Sequence, residues 1–283
     1  MPRRPVQSRV VKDLLTLPIV EPPVRPRLPE WLRVNLPAGR AQQTFNLTSS
    51  AVAENALHTV CEEARCPNIH DCWAHGTATF MVAGQSCTRG CRFCSVETLK
   101  APPPPDDQEP RRLAEAVERL QLDYVVITVV NRDDLPDGGS GHYRRCVDAV
   151  AQLCPHAGIE LLCSDLAGNG EALKSLLDGA PLRVFAHNVE CVPRLDPWVR
   201  DPRASFAQSL EILRRARALR PEVVTKSSLM VGLGETDDEV LEAMQQLRAA
   251  GVELLTLGQY LAPGRPGTRF LPVQRFVPPQ QFA

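Results

Sequence analysis

The 283-residue sequence lacks any apolar run of the roughly 18 residues that a membrane-spanning helix needs. It also lacks an excess of either charge. Its formal net charge of −1 gives no general attraction to nucleic acid or to a membrane surface. A hydrophobic fraction of 43% is sufficient for a domain with a buried core. The composition therefore predicts a folded protein with neither a nucleic-acid nor a membrane partner.

A fourth cysteine is missing from the motif around which the chain is organised. Cys87, Cys91 and Cys94 follow a Cys-x3-Cys-x2-Cys spacing, and their loop contains no other cysteine. Electron-transfer clusters normally have four cysteine ligands, and structural zinc sites also have four ligands. Three thiolates can instead hold three corners of a four-iron cluster, which leaves one iron open to a substrate or cofactor. A zinc site completed by His75 or His142 is the alternative.

A second set of three cysteines lies just upstream. Cys61, Cys66 and Cys72 follow a Cys-x4-Cys-x5-Cys spacing, again without a fourth member nearby. Cysteines at cluster spacing must stay reduced, which predicts a reducing compartment and a cytoplasmic location. The other four cysteines are isolated, and we expect each to serve as a small apolar residue. These are Cys146, Cys154, Cys163 and Cys191.

The first 40 residues are basic and rich in proline. They contain eight Lys or Arg, three acidic residues and eight prolines, which predicts an extended arm on the surface of the domain. A transit peptide is the alternative, although such peptides are also serine-rich and amphipathic. The predicted division of the chain is an arm over 1–40, a segment over 41–76 that carries the second cysteine set, a core over 77–262 and a C-terminal segment over 263–283.

Helical and strand patterns alternate through the core. Strands that alternate with helices predict a parallel sheet with right-handed crossovers. Six such units are fewer than the eight of a closed barrel, so the predicted fold class is α/β, a partial (β/α)6 TIM-like barrel. The predicted strands cover 77–84, 124–130, 159–163, 183–188, 223–231 and 253–260, and the predicted helices cover 110–122, 142–153, 170–177, 205–219 and 237–250.

The cysteine motif at residues 87–94 resembles the signature of the radical S-adenosylmethionine (SAM) superfamily. Together with the upstream set, it resembles the lipoyl synthase family over about residues 28–282. The matching segments are CEEARCPN at 61–68, Cys72, HGTATFM at 75–81, NRDDL at 131–135, DGG at 137–139, HNVE at 187–190, MVGLGET at 230–236 and GQYL at 258–261.

The resemblance implies a complete chemistry. In the family, the open iron of the cluster at Cys87, Cys91 and Cys94 binds SAM, whose reductive cleavage yields a 5′-deoxyadenosyl radical. An auxiliary [4Fe-4S] cluster on Cys61, Cys66 and Cys72 supplies sulfur. The implied cofactors are two [4Fe-4S] clusters and SAM, and the implied reaction inserts sulfur at C6 and C8 of an octanoyl group. That group is carried by lipoyl carrier domains (2-oxoacid dehydrogenase E2 subunits and the glycine cleavage H protein), and a low-potential electron donor is required.

The resemblance also implies residues that contact SAM. Asn131 and Asp133, with Asp134, follow the second strand, where many radical SAM enzymes bind the SAM amino group, although Asn and Asp are equally natural in a turn. Asn188 and Glu190 share a face under strand alternation and suit ribose hydroxyls, with a structural polar network as the alternative.

Further candidates lie beside the cluster motif and on the fifth predicted strand. Phe93 is expected to pack near the cluster or the adenine. Arg89 and Arg92 flank the cluster, where they favour its reduced state or contact an acidic protein substrate. Lys226 lies within an apolar run and needs an anion, either the SAM carboxylate, a substrate carbonyl or a local aspartate. Gly232 and Gly234, with Glu235, are expected to let the backbone approach the adenine.

One family motif is absent from the sequence. The auxiliary cluster of the family takes a fourth ligand from the serine of an Arg-Ser-Ser motif near the C-terminus, and no such motif occurs before Ala283. The expectation is therefore an incomplete C-terminal segment, in which SAM cleavage survives better than sulfur insertion. Two alternatives follow: a radical SAM enzyme that inserts sulfur into a free small molecule, and a homologue that binds SAM and octanoylated domains without completing the reaction.

Overall fold

The computed structural model describes residues 28–33, 36, 38–54, 58, 59, 62, 66, 68–74, 77–264 and 268–282. Within these residues, no helix has both the length and the apolar character that crossing a membrane requires. The helices are α1 (Arg40–Glu54), α2 (Ile69–Ala74), α3 (Glu109–Arg119), α4 (Ser140–Leu153), α5 (Gly170–Leu177), α6 (Asp196–Val199), α7 (Phe206–Leu219) and α8 (Asp237–Ala249). The strands are β1 (His58–Thr59), β2 (Thr79–Val82), β3 (Ser86–Cys87), β4 (Glu97–Thr98), β5 (Tyr124–Val129), β6 (Gly158–Leu162), β7 (Val184–Ala186), β8 (Val224–Val231) and β9 (Leu254–Gln259).

The main sheet has seven strands in the order β1-β2-β5-β6-β7-β8-β9. Six of them pair in parallel from β2 to β9, whereas β1 pairs antiparallel with β2. Strand order follows chain order, because each crossover passes through a helix and returns beside the preceding strand. This architecture confirms the predicted six-stranded open barrel.

The crossover helices cover the sheet with apolar faces. In α3, the side chains of Leu113, Ala116 and Val117 are fully buried, at the spacing that places them on one face of the helix. The hydroxyl of Thr236 accepts the backbone N–H of Glu239 at 3.3 Å, and the Glu239 carboxylate accepts the Thr236 N–H at 2.8 Å. This capping box begins α8 directly after the β8 turn.

Two features differ from the sequence prediction. Strand β7 ends at Ala186 and not at residue 188, because the backbone leaves the sheet and returns only at a single bridge between Glu190 and Leu229. The prediction also missed α1, α2, α6 and the small β3–β4 sheet. The β3 and β4 strands flank residues 88–96, so the cysteine loop is closed at its base by strand pairing.

Candidate active site

The loop that carries Cys87, Cys91 and Cys94 leaves the carboxyl end of β2 and places all three thiols in half-buried positions. The backbone N–H of Arg89 donates to the Cys87 sulfur at 3.4 Å, and the N–H of Asp201 donates to the Cys91 sulfur at 3.4 Å. Burial raises the pKa of the Cys91 thiol to about 12 and also raises the pKa of Cys94. The Cys91 and Cys94 thiols must therefore lose their protons when they bind a metal.

Arg89 fixes this loop from inside the protein. Its guanidinium donates to both oxygens of Asp133 at 2.7 and 2.9 Å and to both oxygens of Asp165 at 2.7 Å. The Arg89 side chain is only 3% exposed and the Asp165 side chain 1%. Asp133 follows β5 and Asp165 follows β6, so two strand ends hold the middle of the cysteine loop. Charge-assisted bidentate pairs of this kind define a single loop position.

A second tether holds the opposite side of the loop. Asp201 accepts the backbone N–H of Gly90 at 2.9 Å and pairs with Arg203 at 2.8 Å. Arg203 also donates to the backbone oxygen of Thr88 at 2.6 Å. The N–H of Thr88 donates to the Asn131 carbonyl at 3.0 Å. The loop conformation is therefore set before any metal binds.

A cavity of about 140 Å³ lies beside the loop at the carboxyl ends of the strands. Parallel α/β folds place their ligands at this end of the sheet. The cavity lining includes Cys91, Phe93, Asn131, Asn188, Glu190 and Arg200.

Arg200 and Glu190 give the cavity its charge. The side chain of Arg200 is buried, and its Nη atoms donate to the Val189 carbonyl at 3.2 Å and to Ser209 at 3.0 Å. Its Nε is buried without a hydrogen-bond partner among the described residues. Burial raises the pKa of Glu190, against the opposing effects of Arg200 and Asn188. The lining of the cavity thus includes both a guanidinium-bearing residue, Arg200, and a carboxylate-bearing residue, Glu190.

The backbone of Glu190 is unusual. Its φ of 68° lies in the left-handed region, where residues other than glycine are uncommon and functional sites are over-represented. Strand β8 holds this conformation, because the Glu190 N–H donates to Ser228 at 3.2 Å and the Glu190 carbonyl accepts from Met230 at 2.9 Å. The sequence prediction placed Asn188 and Glu190 in one site through strand alternation. The structure brings them to one cavity through this turn instead.

His187 and Ser209 support Arg200 from below. His187 Nδ1 donates to the Cys163 carbonyl at 2.8 Å, so its Nε2 accepts from the Ser209 hydroxyl at 2.9 Å. Burial lowers the pKa of His187 to about 4, which keeps the ring neutral. His187 is therefore a structural residue, because it is buried and both of its ring nitrogens have hydrogen-bond partners.

Comparison with known proteins identifies the family. The radical SAM superfamily profile matches residues 81–247, and the profile of the N-terminal domain of lipoyl synthase matches residues 11–66. The lipoyl synthase of an Anaeromyxobacter species is 54% identical over 259 residues, which cover 91% of this chain and 85% of that protein. The lipoyl synthase of Thermus thermophilus is 48% identical over 277 residues, which cover 98% of this chain and 83% of that protein. The chain belongs to the lipoyl synthase family.

The family membership confirms the predicted activity. The chain is a radical SAM sulfurtransferase that inserts two sulfur atoms at C6 and C8 of the octanoyl group on lipoyl carrier domains. The comparisons do not favour the alternative of a homologue that binds without completing sulfur insertion. Membership also establishes the use of an iron–sulfur cluster and SAM.

Solved structures support the fold alone. Methylornithine synthase aligns with a TM-score of 0.52 at 10% identity, covering 84% of this chain and 71% of that one. The hydrogenase maturase HydG from Carboxydothermus hydrogenoformans aligns with a TM-score of 0.53 at 11% identity, covering 79% of this chain and 63% of that one.

Two residues of this lipoyl synthase family member that were predicted to contact SAM, Asp133 and Lys226, form ion pairs with other side chains. Asp133 does not line the cavity, because its carboxylate pairs with Arg89 and accepts the Thr88 hydroxyl at 2.7 Å. Lys226 pairs with Glu160 at 2.8 Å, a local carboxylate that also accepts the hydroxyl of Tyr124. Neither Asp133 nor Lys226 is therefore among the residues to which we assign SAM.

The glycine turn after β8 packs against the C-terminal segment, and its approach to the adenine stays a prediction. Gly232 has a φ of 97°, and a Cβ at this position would lie 2.5 Å from the backbone oxygen of Arg275. The Glu235 carboxylate accepts the N–H groups of Gly232 and Leu233 at 2.6 and 2.9 Å. Gly234 has a φ of 109°, and a Cβ at this position would lie 3.6 Å from the side chain of Gln274. The turn thus accommodates the C-terminal segment.

Arg92 differs from Arg89 in that it is exposed. Its Nε donates to the Arg269 carbonyl at 3.1 Å, and Arg89 is occupied by its two aspartates. Burial excludes contact between Arg89 and a protein substrate. For Arg92, contact with a protein substrate stays a prediction.

The upstream cysteine set is described in part. Cys66 is half-buried just before α2, and Cys72 is half-buried within α2. Cys61 and His75 lie outside the described residues. Next to Cys72, Trp73 is fully buried and packs on Phe45 of α1 with a ring separation of 5.4 Å. Helices α1 and α2 therefore form one packed unit that carries this segment.

His142 does not complete a zinc site at the cysteine loop. Its Nδ1 lies 3.2 Å from the Arg145 guanidinium, so it accepts, and its Nε2 donates to Glu109 at 2.5 Å. Glu109, His142 and Cys146 are near enough to hold a metal ion. Both ring nitrogens are already satisfied, and Glu109 also accepts the Ala83 N–H at 2.7 Å. The group is a hydrogen-bond network under the start of the cysteine loop.

Sequence reasoning missed two important residues. Asp165 follows β6 as Asn131 follows β5, so the rule that polar residues gather at strand ends would have found it. Arg200 lies in the connection between α6 and α7, and no spacing in the sequence marks it. The four isolated cysteines are buried as expected: Cys146, Cys154, Cys163 and Cys191.

Proposed function

We propose that Cys87, Cys91 and Cys94 hold the [4Fe-4S] cluster that binds SAM. The observation that supports this is that three half-buried thiols on one fixed loop lie beside a cavity lined by both Arg200 and Glu190. The amino acid end of SAM is a zwitterion, so its two charges match this pair of groups. When bound, the cluster and SAM supply the electron and the radical that removes hydrogen from unreactive carbon.

The cavity residues orient SAM in this proposal. Arg200 pairs with the SAM carboxylate, and Glu190 accepts from the SAM amino group together with Asn131. Asn188 serves a ribose hydroxyl, and Phe93 supplies an apolar wall that excludes water from the reacting carbon. Preorganisation is the main contribution, because Arg200 is already held by two hydrogen bonds before SAM arrives.

We further propose that Cys61, Cys66 and Cys72 hold the auxiliary [4Fe-4S] cluster that supplies sulfur, within a segment over 41–76. The spacing of three cysteines and the match of residues 11–66 to the lipoyl synthase N-terminal domain support this assignment. The partners that we propose are octanoylated E2 subunits of 2-oxoacid dehydrogenases and the glycine cleavage H protein, with a low-potential electron donor. We place the reaction in the cytoplasm, where cluster thiolates stay reduced.

Two triple variants test the division of roles. The anaerobically reconstituted protein should hold about eight irons, four for each cluster. Replacing Cys87, Cys91 and Cys94 by alanine should halve the iron content and abolish 5′-deoxyadenosine formation. Replacing Cys61, Cys66 and Cys72 should also halve the iron content, but SAM cleavage should persist while lipoyl product disappears on mass spectrometry. Loss of SAM cleavage in the second variant, with its remaining cluster intact, would contradict the proposed division. So would stoichiometric zinc without cluster absorbance in the parent protein.

A further inference from the structure

A basic and aromatic patch lies on the surface beside the cysteine loop. We name it the loop patch and define it as Arg92, Trp198 and Arg269. Arg92 belongs to the loop itself, and its guanidinium donates to the backbone oxygens of Arg269 at 3.1 Å and of Trp198 at 3.5 Å. The three residues are therefore contiguous.

The charge of the loop patch is not neutralised within the described part of the chain. Arg92 and Arg269 are exposed, and neither has a carboxylate within ion-pair distance among those residues. Arg269 donates to the Cys94 carbonyl at 2.9 Å and to the Val96 carbonyl at 3.1 Å, and its guanidinium lies 5.1 Å from the Phe270 ring centroid. Carbonyl partners orient a guanidinium but leave its full charge facing solvent.

Trp198 adds an apolar anchor. It belongs to α6 and is 63% exposed, the most exposed tryptophan in the described residues. Tryptophan and arginine are the residues that most often dominate the binding energy of protein interfaces. An exposed tryptophan beside two unneutralised arginines therefore has the composition of a docking surface and not of an ordinary solvated face.

The position of the patch selects its partner. The substrate octanoyl group is carried on a protein domain, so that domain must approach the cavity beside the cysteine loop. We propose that the loop patch docks the carrier domain by contacting acidic side chains that flank its acylated lysine. This inference rests on the family activity and on the proposed SAM site.

Other occupants fit the patch less well. Residues 1–27 carry six basic and two acidic residues, so their charge opposes Arg92 and Arg269. A second copy of this chain would have to present an acidic surface to the patch, and its binding would show as dimerisation.

The test uses the reconstituted full chain and two substrates, an octanoylated carrier domain and a short uncharged octanoyl-lysine peptide. Trp198→Ala and Arg92→Gln should each raise KM for the domain by about tenfold and leave kcat and peptide turnover unchanged. Arg92→Gln should also reduce the salt dependence of domain binding. Arg248→Gln is the matched control. This exposed arginine ends α8 at the opposite end of the barrel, and its loss should change neither KM nor salt dependence.

The results of these experiments distinguish docking of the carrier domain from the other roles of the loop patch. Neutralising the acidic residues beside the domain lysine should weaken binding to the parent, with little further loss in Arg92→Gln, because the two changes remove the same interaction. Unchanged KM for the domain would overturn the proposal. An equal fall in peptide turnover would also overturn it, since Arg92 would then act on the cluster. A concentration-dependent dimer abolished by Trp198→Ala would assign the patch to a second copy. Failure of the proposed SAM site would instead appear in the parent protein, as absent turnover of both substrates.

Discussion

Replacement of Asp165 by asparagine should destabilise the protein more than any exposed ion-pair change. The substitution keeps the shape of the side chain but leaves one acceptor oxygen for two Arg89 donors, which now bond Asp165 at 2.7 Å. It also places an amide N–H₂ against the guanidinium and the Gln208 amide, which donates to Asp165 at 2.7 Å. Because Arg89 and Asp165 are almost completely buried, water cannot replace the lost bond.

The expected loss is about 2–4 kcal/mol of unfolding free energy. A hydrogen bond to a charged group contributes about 1.5–3 kcal/mol, and breaking a buried pair by removing one partner costs about 3–5 kcal/mol. The lower part of this range applies because Asp133 still pairs with Arg89 at 2.7 Å. Guanidinium chloride unfolding of the anaerobic holoprotein, followed by far-UV circular dichroism, measures the change.

Asp148→Asn is the matched control. Asp148 accepts two bonds from the Arg144 Nε at 2.8 and 2.9 Å, but the two side chains are 49% and 27% exposed. An exposed pair contributes no more than about 1 kcal/mol. Equal unfolding midpoints for the Asp165 and Asp148 variants would refute the reasoning that Arg89 and Asp165 fix the cysteine loop.

The stability difference between the parent protein and Asp165→Asn should decrease at acidic pH. Burial alone would raise the pKa of Asp165, but Arg89 overcomes this effect and holds the pKa below its usual range. A carboxyl whose folded pKa is depressed stabilises the protein above its unfolded pKa of about 3.9, and that stability is lost as the pH falls through the folded pKa. The difference between parent and Asp165→Asn should therefore be full at neutral pH and shrink below about pH 4.

Three further changes test other parts of the structure. Gly232→Ala should lower stability by about 1–3 kcal/mol on thermal unfolding, because the residue has a φ of 97° and its new Cβ would lie 2.5 Å from the Arg275 carbonyl. Arg200→Lys should weaken SAM binding by about tenfold in equilibrium dialysis, because lysine lacks the planar guanidinium that Val189 and Ser209 hold at the cavity. Lys226→Met should destabilise the protein by about 1–3 kcal/mol in urea unfolding, because it leaves buried Glu160 without its cation.

Each of these changes has its own check. Gly179→Ala, at a φ of 59° with no atom within 4 Å of its ideal Cβ, separates backbone strain from collision with the C-terminal segment. Unaltered iron content should accompany the loss of SAM affinity in Arg200→Lys, and reduced iron would point to a general structural role. The double variant Lys226→Met with Glu160→Gln should recover part of the stability, since the buried charge is then removed. An additive loss would contradict the pairing.

The sequence alone determined the architecture and supplied the proposed cluster ligands. Alternating strand and helix patterns predicted six parallel strands, because hydrophobic periodicity reflects local backbone geometry. Spacing identified Cys87, Cys91 and Cys94, because ligands to one cluster must lie within reach on one short loop. The rule that a parallel barrel gathers polar residues at its strand ends brought Asn131, Asn188 and Glu190 to notice, and the structure places all of them at the cavity.

Only the tertiary structure decided which charges pair. Arg89, Arg92 and Arg200 are indistinguishable as residue types, yet the first is buried between two aspartates, the second is exposed and the third is buried at the cavity. Likewise Lys226 has a local partner in Glu160. The physical reason is that the strength of an ion pair depends on distance and burial in three dimensions. Lys226 and Glu160 are 66 positions apart in the sequence, and Arg89 and Asp165 are 76 positions apart, so each pair forms only when the chain folds.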